Sequence, residues 1–378
     1  MPVISSRHIP ALDGVRGLAI LWVVLHNTLG DMFAPTAGPM HYLAFLARPG
    51  WIGVQLFFAL SGFLITAGLL DTQGASNYFR GFYVRRALRI LPLYYAVLLL
   101  LLVIFPRFVL PVGQLQTSIG HQASLWLFAI NWTHAPVHGF VHFWSLAVEE
   151  QFYLLWPFVV YRLEPRRLLP VCLWIAFGAL ACRCVMVARG VDPWTVYTAT
   201  TSRMDGLAFG AAGACILRVP ALLACIDRHL RAISVAFLGL FLLGIPLTHS
   251  YDYYGIACET FGYTLLAACS AVLITAAAIE DGRRPWPMAT LAWVPLRACG
   301  KYSYGIYVFH ELIHILASNP WLVAHFGPHP PPQMVLATSF ATFVVSFSLA
   351  FASYQTFEKH FLGLKRLVRP KTVVSLAI

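Results

Sequence analysis

Long apolar runs separated by short polar breaks carrying Pro and Gly dominate the chain. Neither the two-residue alternation of a half-buried strand nor a sustained heptad repeat competes with them. A hydrocarbon core about 30 Å thick takes about 20 residues of apolar helix to cross. Runs of that order fall at roughly 11–30, 51–70, 88–106, 144–161, 168–188, 203–219, 232–248, 259–280, 300–318 and 334–356. The pattern predicts an all-α polytopic membrane protein with about ten transmembrane helices. The stretch Ser124 to Trp132 is apolar but too short to cross, and an extra crossing there would invert every later loop. It reads as re-entrant or interfacial, with tryptophans suited to the membrane–water boundary.

Composition agrees: 59% of the 378 residues are hydrophobic and 11% charged, with a mean hydropathy of +0.71. Charge adds orientation. With the N-terminus in the cytoplasm, cytoplasmic segments collect 20 of the 26 Lys and Arg residues. The opposite side receives Arg48, Arg107, Arg189 and Arg203, the bias that the positive-inside rule requires, so both termini are expected in the cytoplasm. This bias, with anionic lipid at the inner face, accounts for the net charge of +11, and no nucleic-acid site is read from it. The first run is full length and lacks a small-residue cleavage site after it, so it is expected to stay as a helix. No internal repeat, low-complexity tract or second soluble domain is evident. Residues 1–378 read as one integral-membrane domain, with a core over about 8–360 and a basic cytoplasmic tail over 361–378. The eight cysteines lie mainly in or beside apolar runs, never as Cys-x-x-Cys, and read as small core residues.

Ionisable residues inside this apolar sequence need a reason. A charge near the middle of a spanning helix costs about 2.5–3.5 kcal/mol on insertion scales, so such groups usually face a protein interior, a partner or a water-filled cavity. The first run holds Asp13, Arg16 and His26. Asp13 and Arg16, spaced i,i+3, can pair with each other, while His26 is a candidate for a functional pocket. In the second run Ser61-Gly62 suits close helix packing. In the third, Arg86 and Arg89 share a helix face at the cytoplasmic end, and paired guanidinium groups there suit phosphates, as on a coenzyme A thioester. The fourth opens with His142-Phe143-Trp144-Ser145 and continues to Glu149-Glu150, placing Ser145, Glu149, Phe152 and Trp156 on one stripe. Both carboxylates fall toward the outer end at about the depth of His26, where a carboxylate can orient an imidazole and stabilise its protonated form. Arg203 and Asp205, at the start of a later run on the same side, suit either a local ion pair or a cavity rim.

Together these stretches resemble the acyltransferase family 3 membrane proteins, which include bacterial O-antigen and exopolysaccharide acetylases. The resemblance rests on Leu12-Asp13-Gly14-Val15-Arg16-Gly17-Leu18-Ala19 with His26, on Phe57 to Leu64, on Arg86-Ala87-Leu88-Arg89-Ile90-Leu91-Pro92, on Phe143 to Tyr153, and on Ser303 to His310. It implies a ten-helix fold that takes an acyl group, as a guess acetyl, from cytoplasmic acyl-CoA and gives it to a hydroxyl of a carbohydrate-type acceptor on the other face of a bacterial inner membrane. His26 then falls as the base or acyl-handling residue, with Glu149 tuning the imidazole and Arg16 its partner on the first helix. Arg86 and Arg89 fall as coenzyme A contacts. The residues themselves add Glu150, Ser145, Arg203, Asp205 and His310 as substrate-binding candidates, and no metal is expected. Arg16 and His26 stand one residue closer than in the family pattern, which turns His26 by about 100° on an ideal helix unless a π-bulge or 3₁₀ turn intervenes.

The strongest competing motif is His310-Glu311-Leu312-Ile313-His314, a literal His-Glu-x-x-His that on a helix offers two zinc ligands and a base, as in an intramembrane metalloprotease. No third ligand segment accompanies it, and Glu311 and His314 read as incidental. The row His134, His138, His142 has i,i+4 spacing, but Pro136 and Gly139 interrupt it. A transporter with a polar midplane path is a further alternative. No Gly-x-Ser-x-Gly elbow points to a serine nucleophile.

Overall fold

The computed structural model describes residues 9–29, 42, 45–104, 119–133, 139–280, 286–327 and 330–368, which contain helices and turns and no strand. In chain order the helices are α1 (Pro10–Leu29), α2 (Ile52–Asp71), α3 (Tyr78–Leu99), α4 (Ile119–Trp126), α5 (Phe143–Arg162), α6 (Pro165–Ala188), α7 (Pro193–Thr198) and α8 (Thr200–Ile216). They continue as α9 (Pro220–Leu247), α10 (Tyr263–Glu280), α11 (Trp286–Leu291), α12 (Val294–Ile313), α13 (Asn319–Phe326), α14 (Pro332–Ser353) and α15 (Lys359–Leu364). Each expected run falls on one of the longer helices.

Six helical stretches are long and apolar enough to cross a membrane: Phe45–Asp71, Tyr78–Ile104, Pro165–Ala188, Pro220–Leu247, Cys258–Glu280 and Pro332–Val368. The chain is a multi-pass membrane protein. Four other long helices, α1, α5, α8 and α12, carry the charges that a span ordinarily excludes, among them Arg16, Glu149, Arg203 and Glu311. Their polar faces turn into the bundle: α1 packs along α12 and α2, and α8 along α2, α6 and α10. Two of the crossings are close because glycine leaves room. A Cβ on Gly17 would strike the Leu296 carbonyl and one on Gly300 the Asp13 carbonyl; on the α2–α8 side Gly62 meets Leu207 and Gly210 meets Ala59 in the same way. The packing role expected of Ser61-Gly62 is visible in that second pair.

The third helix begins ten residues earlier than its apolar run. Arg80, Arg85, Arg86 and Arg89 break the hydropathy signal without breaking the helix, because Arg86 and Arg89 turn into the bundle. The short Ser124–Trp132 segment ends α4, passes through Phe128 in the left-handed region (φ 51°) and closes in a 3₁₀ turn. Tyr94 donates to the Leu125 carbonyl (2.8 Å), Tyr95 to that of Trp126 (3.1 Å) and Gln151 to that of Phe128 (2.8 Å). These bonds hold the segment against α3 and α5, and eight residues of α4 reach only about 12 Å, well short of a crossing.

Candidate active site

On one side of the bundle centre, α5 presents Ser145, Glu149 and Tyr153 at one-turn intervals, the i,i+4 geometry that stacks side chains on one face. Glu149 accepts hydrogen bonds on Oε1 from Ser61 (2.7 Å) and on Oε2 from Tyr153 (2.8 Å). The Tyr153 hydroxyl oxygen in turn accepts from Arg86, whose guanidinium lies over the Tyr153 ring, 4.0 Å from its centroid. A carboxylate fixed by two donors beside a cation stacked on an aromatic face is a rigid, charge-balanced arrangement. Arg86, Glu149, Arg16 and Arg89 line a cavity of about 100 Å³ between α1, α2, α3, α5 and α12. Arg16 keeps its local pair with Asp13 (3.3 Å). Arg89 and Tyr304 also line a smaller pocket of about 30 Å³ with Lys301 and Glu358, so these side chains form a wall common to the two spaces.

His26 occupies a different space. It lines a cavity of about 220 Å³ with Asn27, Trp51, Tyr197, Tyr253 and Glu311. Its ring meets Tyr253 edge-on, with centroids 5.8 Å apart. Trp51 is held over the cavity by donating to the Tyr251 carbonyl (2.9 Å), and Tyr197 packs between Trp51, Trp144 and Tyr253. Two residues line both this cavity and the arginine-lined one: Val54 of α2 and Tyr307 of α12.

These placements correct several expectations. Glu149 does not line the His26 cavity; it sits with Arg86 and Arg16 in the neighbouring one, bonded to Ser61 of α2. α1 is regular from end to end, with neither π-bulge nor 3₁₀ turn, so Arg16 and His26 stand about 15 Å apart along its axis and do not pair. Glu150 turns toward α3, near Arg86 and Tyr94, and lines none of these cavities. Arg203 and Asp205 form neither a rim nor a pair with each other, and both are fully buried. Asp205 pairs with Arg183 of α6 (2.8 Å), while Arg203 donates to Gln55 (2.8 Å) and sits over Tyr263, 4.3 Å from the ring centroid. His310 is buried, with both ring nitrogens engaged by protein: Nδ1 donates to the Tyr307 carbonyl (2.8 Å), which leaves Nε2 to accept from the Asn27 amide (2.8 Å). It thus holds Asn27 beside His26 rather than touching a ligand, and neither nitrogen faces a metal. His134 and His138 lie outside the described residues.

Tyr153, Tyr307 and Glu311 are the site residues that sequence reasoning missed. Tyr153 stands one turn after Glu149, a spacing the sequence displays. Glu311, read as incidental, is a carboxylate in the same cavity as His26. Ser145 lies on the wall of the arginine-lined cavity, with its hydroxyl 2.6 Å from that of Tyr307.

Comparison with known proteins adds an independent line. The family model described as an acyltransferase domain matches residues 9–351. YrhL of Bacillus subtilis is 30% identical over 82% of this chain and 49% of its own length. The peptidoglycan O-acetyltransferase OatA of Listeria monocytogenes is 28% identical over 96% of this chain and 58% of its own. The O-acetyltransferase OatA of Staphylococcus aureus is 26% identical over 83% and 52%. The chain spans about half the length of the curated relatives it matches. No solved structure matches it.

Proposed function

The chain belongs to the acyltransferase family whose model covers it from residue 9 to residue 351, and from that premise we propose that it moves an acetyl group across a membrane. In this reading the donor is cytoplasmic acetyl-CoA and the acceptor is a hydroxyl of a carbohydrate polymer on the opposite face. Peptidoglycan, for which the Listeria relative is named, is the first candidate. The observation that carries the proposal is a row of three neighbouring spaces with shared walls. The Lys301 pocket and the arginine-lined cavity share Arg89 and Tyr304, and that cavity and the His26 cavity share Val54 and Tyr307. Cations gather at one end of the row and an imidazole stands at the other.

The positive-inside bias puts the Lys301 end in the cytoplasm and both termini with it, in the cytoplasmic membrane of a bacterium. All ten long helices then cross, the four polar ones turning their charged faces away from lipid. Arg89 and Lys301 meet the phosphates of coenzyme A, Arg86 and Arg16 extend the positive lining inward, and the pantetheine arm points the thioester toward Tyr307. The acceptor hydroxyl enters from the outer side beside His26. As its oxygen attacks the thioester carbonyl, its proton passes to the neutral imidazole. A C–O bond forms, the C–S bond breaks, and the proton moves on to the departing sulfur. Glu311, rather than Glu149, is the carboxylate placed to stabilise the imidazolium in between. Positioned base catalysis of this kind contributes about 10²–10⁴-fold.

The test is transfer from acetyl-CoA to a muropeptide acceptor by the full chain in lipid vesicles, read by mass analysis of ester-linked acetate. His26→Ala should lose about 10²-fold or more in maximal rate while acetyl-CoA binding persists. A His26→Ala protein working at the wild-type rate would refute the base assignment, and wild-type protein that acetylates no carbohydrate hydroxyl would refute the acceptor class.

A further inference from the structure

Apart from the spaces of the candidate site, the bundle holds a larger cavity of about 610 Å³ between α1, α2, α9 and α10. It exists because α9 stands away from the other helices: of its 28 residues only Leu230 and Gly244 are buried, and its main contact is with α10. Trp22 of α1 and Ile52 of α2 line one side, while Val235 and Leu238 of α9, 68% and 56% exposed, leave the cavity open to the bilayer. The lining is apolar except for Ser234, Ser270, Arg231 and Glu280. Such a space does not stay empty in a membrane, because its walls would forgo the dispersion contacts that an acyl chain supplies.

The two charges stand in a defined order. The Cys269 thiol donates to the Phe237 carbonyl (3.5 Å), which sets the register of the antiparallel pair α9 and α10. Arg231, six residues before Phe237, is then level with Thr275, six residues after Cys269. Glu280 lies five residues further toward the same end of the bundle, about 7.5 Å along the axis. Both line the cavity, yet neither takes part in an ion pair or a side-chain hydrogen bond among the described residues. From Arg231 to Phe241 the cavity follows α9 for ten residues, about 15 Å, which is one leaflet of a hydrocarbon core about 30 Å thick. An apolar depth of one leaflet, then a cation, then an anion nearer the surface complements the acyl chains, phosphate and terminal amine of a phospholipid, in that order.

We infer that this cavity is a binding site for one phospholipid of the phosphatidylethanolamine type, with its acyl chains against α9 and α10, its phosphate at Arg231 and its ammonium at Glu280. The inference goes beyond acyl transfer and does not depend on it; in the orientation proposed above, the charged end belongs to the cytoplasmic leaflet. A guanidinium forks onto phosphate oxygens, which every phospholipid offers. The carboxylate supplies the selection, because a headgroup without a cation leaves Glu280 unmatched beside the phosphate. One charge contact of this kind at a membrane surface is worth about fivefold in binding.

The experiment is native mass spectrometry of the full chain released from vesicles that hold equal amounts of phosphatidylethanolamine and phosphatidylglycerol, read as the ratio of the two lipids retained. Wild type should retain the ethanolamine lipid in about fivefold excess or more. Glu280→Gln, which keeps the size and removes the charge, should bring the ratio near one. Arg231→Gln should lower the retention of both lipids several-fold, and Ser234→Phe, which fills the cavity, should displace both. Arg162→Gln, exposed at the end of α5 and outside the cavity lining, should change neither reading. Each ratio is taken within one protein sample, so a loss of folded material does not imitate a change of preference. A wild-type ratio of one, or a wild-type ratio that persists in Glu280→Gln, would overturn the headgroup assignment and the inference with it. Undiminished retention in both Arg231→Gln and Ser234→Phe would put the retained lipid outside this cavity and overturn it equally.

Discussion

Removing the carboxylate of Asp205 should destabilise the bundle without touching the chemistry. Asp205 is fully buried between α8, α6 and α10, where Oδ2 accepts from Arg183 (2.8 Å) and Thr264 (2.9 Å), and Oδ1 from the Gly206 amide (2.9 Å). In Asp205→Ala the Arg183 charge stays buried without its anion, and breaking such a pair from one side costs about 3–5 kcal/mol. Arg183 keeps its bond to the Ser202 carbonyl and its contact with Thr264, which puts the expected loss near the lower figure, about 3 kcal/mol or roughly a hundredfold in the folded-to-unfolded ratio. The assay is the fraction of detergent-solubilised protein that stays monodisperse after heating. Replacing both partners by apolar residues of similar size is often neutral or better, so Arg183→Met combined with Asp205→Leu should recover most of the loss. An Asp205→Ala protein as heat-resistant as wild type, or a double variant no better than the single one, would refute the argument. So would a rise in the acceptor KM at unchanged stability, which would return Asp205 to a cavity rim.

Arg86 and Arg89 should separate kinetically. Arg89→Ala weakens acetyl-CoA binding, read by titration, because Arg89 lines the Lys301 pocket as well as the inner cavity. Arg86→Ala chiefly lowers the saturated rate and the folded yield, because its guanidinium is committed to Tyr153. His310→Phe should lower the maximal rate by less than His26→Ala does, since it frees Asn27 without removing the base. Activity of the wild type should persist in chelator, a result that zinc-dependent rescue would contradict. Gly210→Leu should reduce the yield of folded protein sharply, because its Cβ has nowhere to go but into the Ala59 carbonyl; normal yield would show that the α2–α8 crossing is looser than described.

Hydropathy made the long helices readable because lipid demands about 20 apolar residues whatever the protein does, and each run falls on one helix. The start of α3 was lost for the same reason: its arginines read as the edge of a membrane run, although a guanidinium facing a cavity does not end a helix. Spacing along one helix was equally legible, as in the Asp13–Arg16 pair. What could not be read was depth between helices. Glu149 and His26 stand near run ends expected on the same side, yet how α5 lies against α1 decides whether they meet, and no residue in either run encodes that. The same gap hid the exchange by which Asp205 pairs with Arg183 of another helix rather than with Arg203 two residues away, and it made Glu311 look incidental.

The polar helices explain why this arrangement is affordable in a membrane. An ionisable side chain on a lipid-facing helix must snorkel or be neutralised, whereas one on a helix wrapped by apolar neighbours can keep its charge if each polar group finds a partner. α8 is wrapped in this way, α1 and α5 turn their polar faces inward, and several buried polar groups are bonded between helices: Glu149 to Ser61, Asp205 to Arg183, Asn27 to His310. These bonds fix the helices against one another, so the cavity walls are set by the same contacts that make charge tolerable inside the bundle. Loosening one of these interhelical bonds should lower stability before it abolishes transfer, which Ser145→Ala tests, since Tyr307 then loses one of the two bonds holding its hydroxyl; a variant as heat-resistant as wild type would refute it.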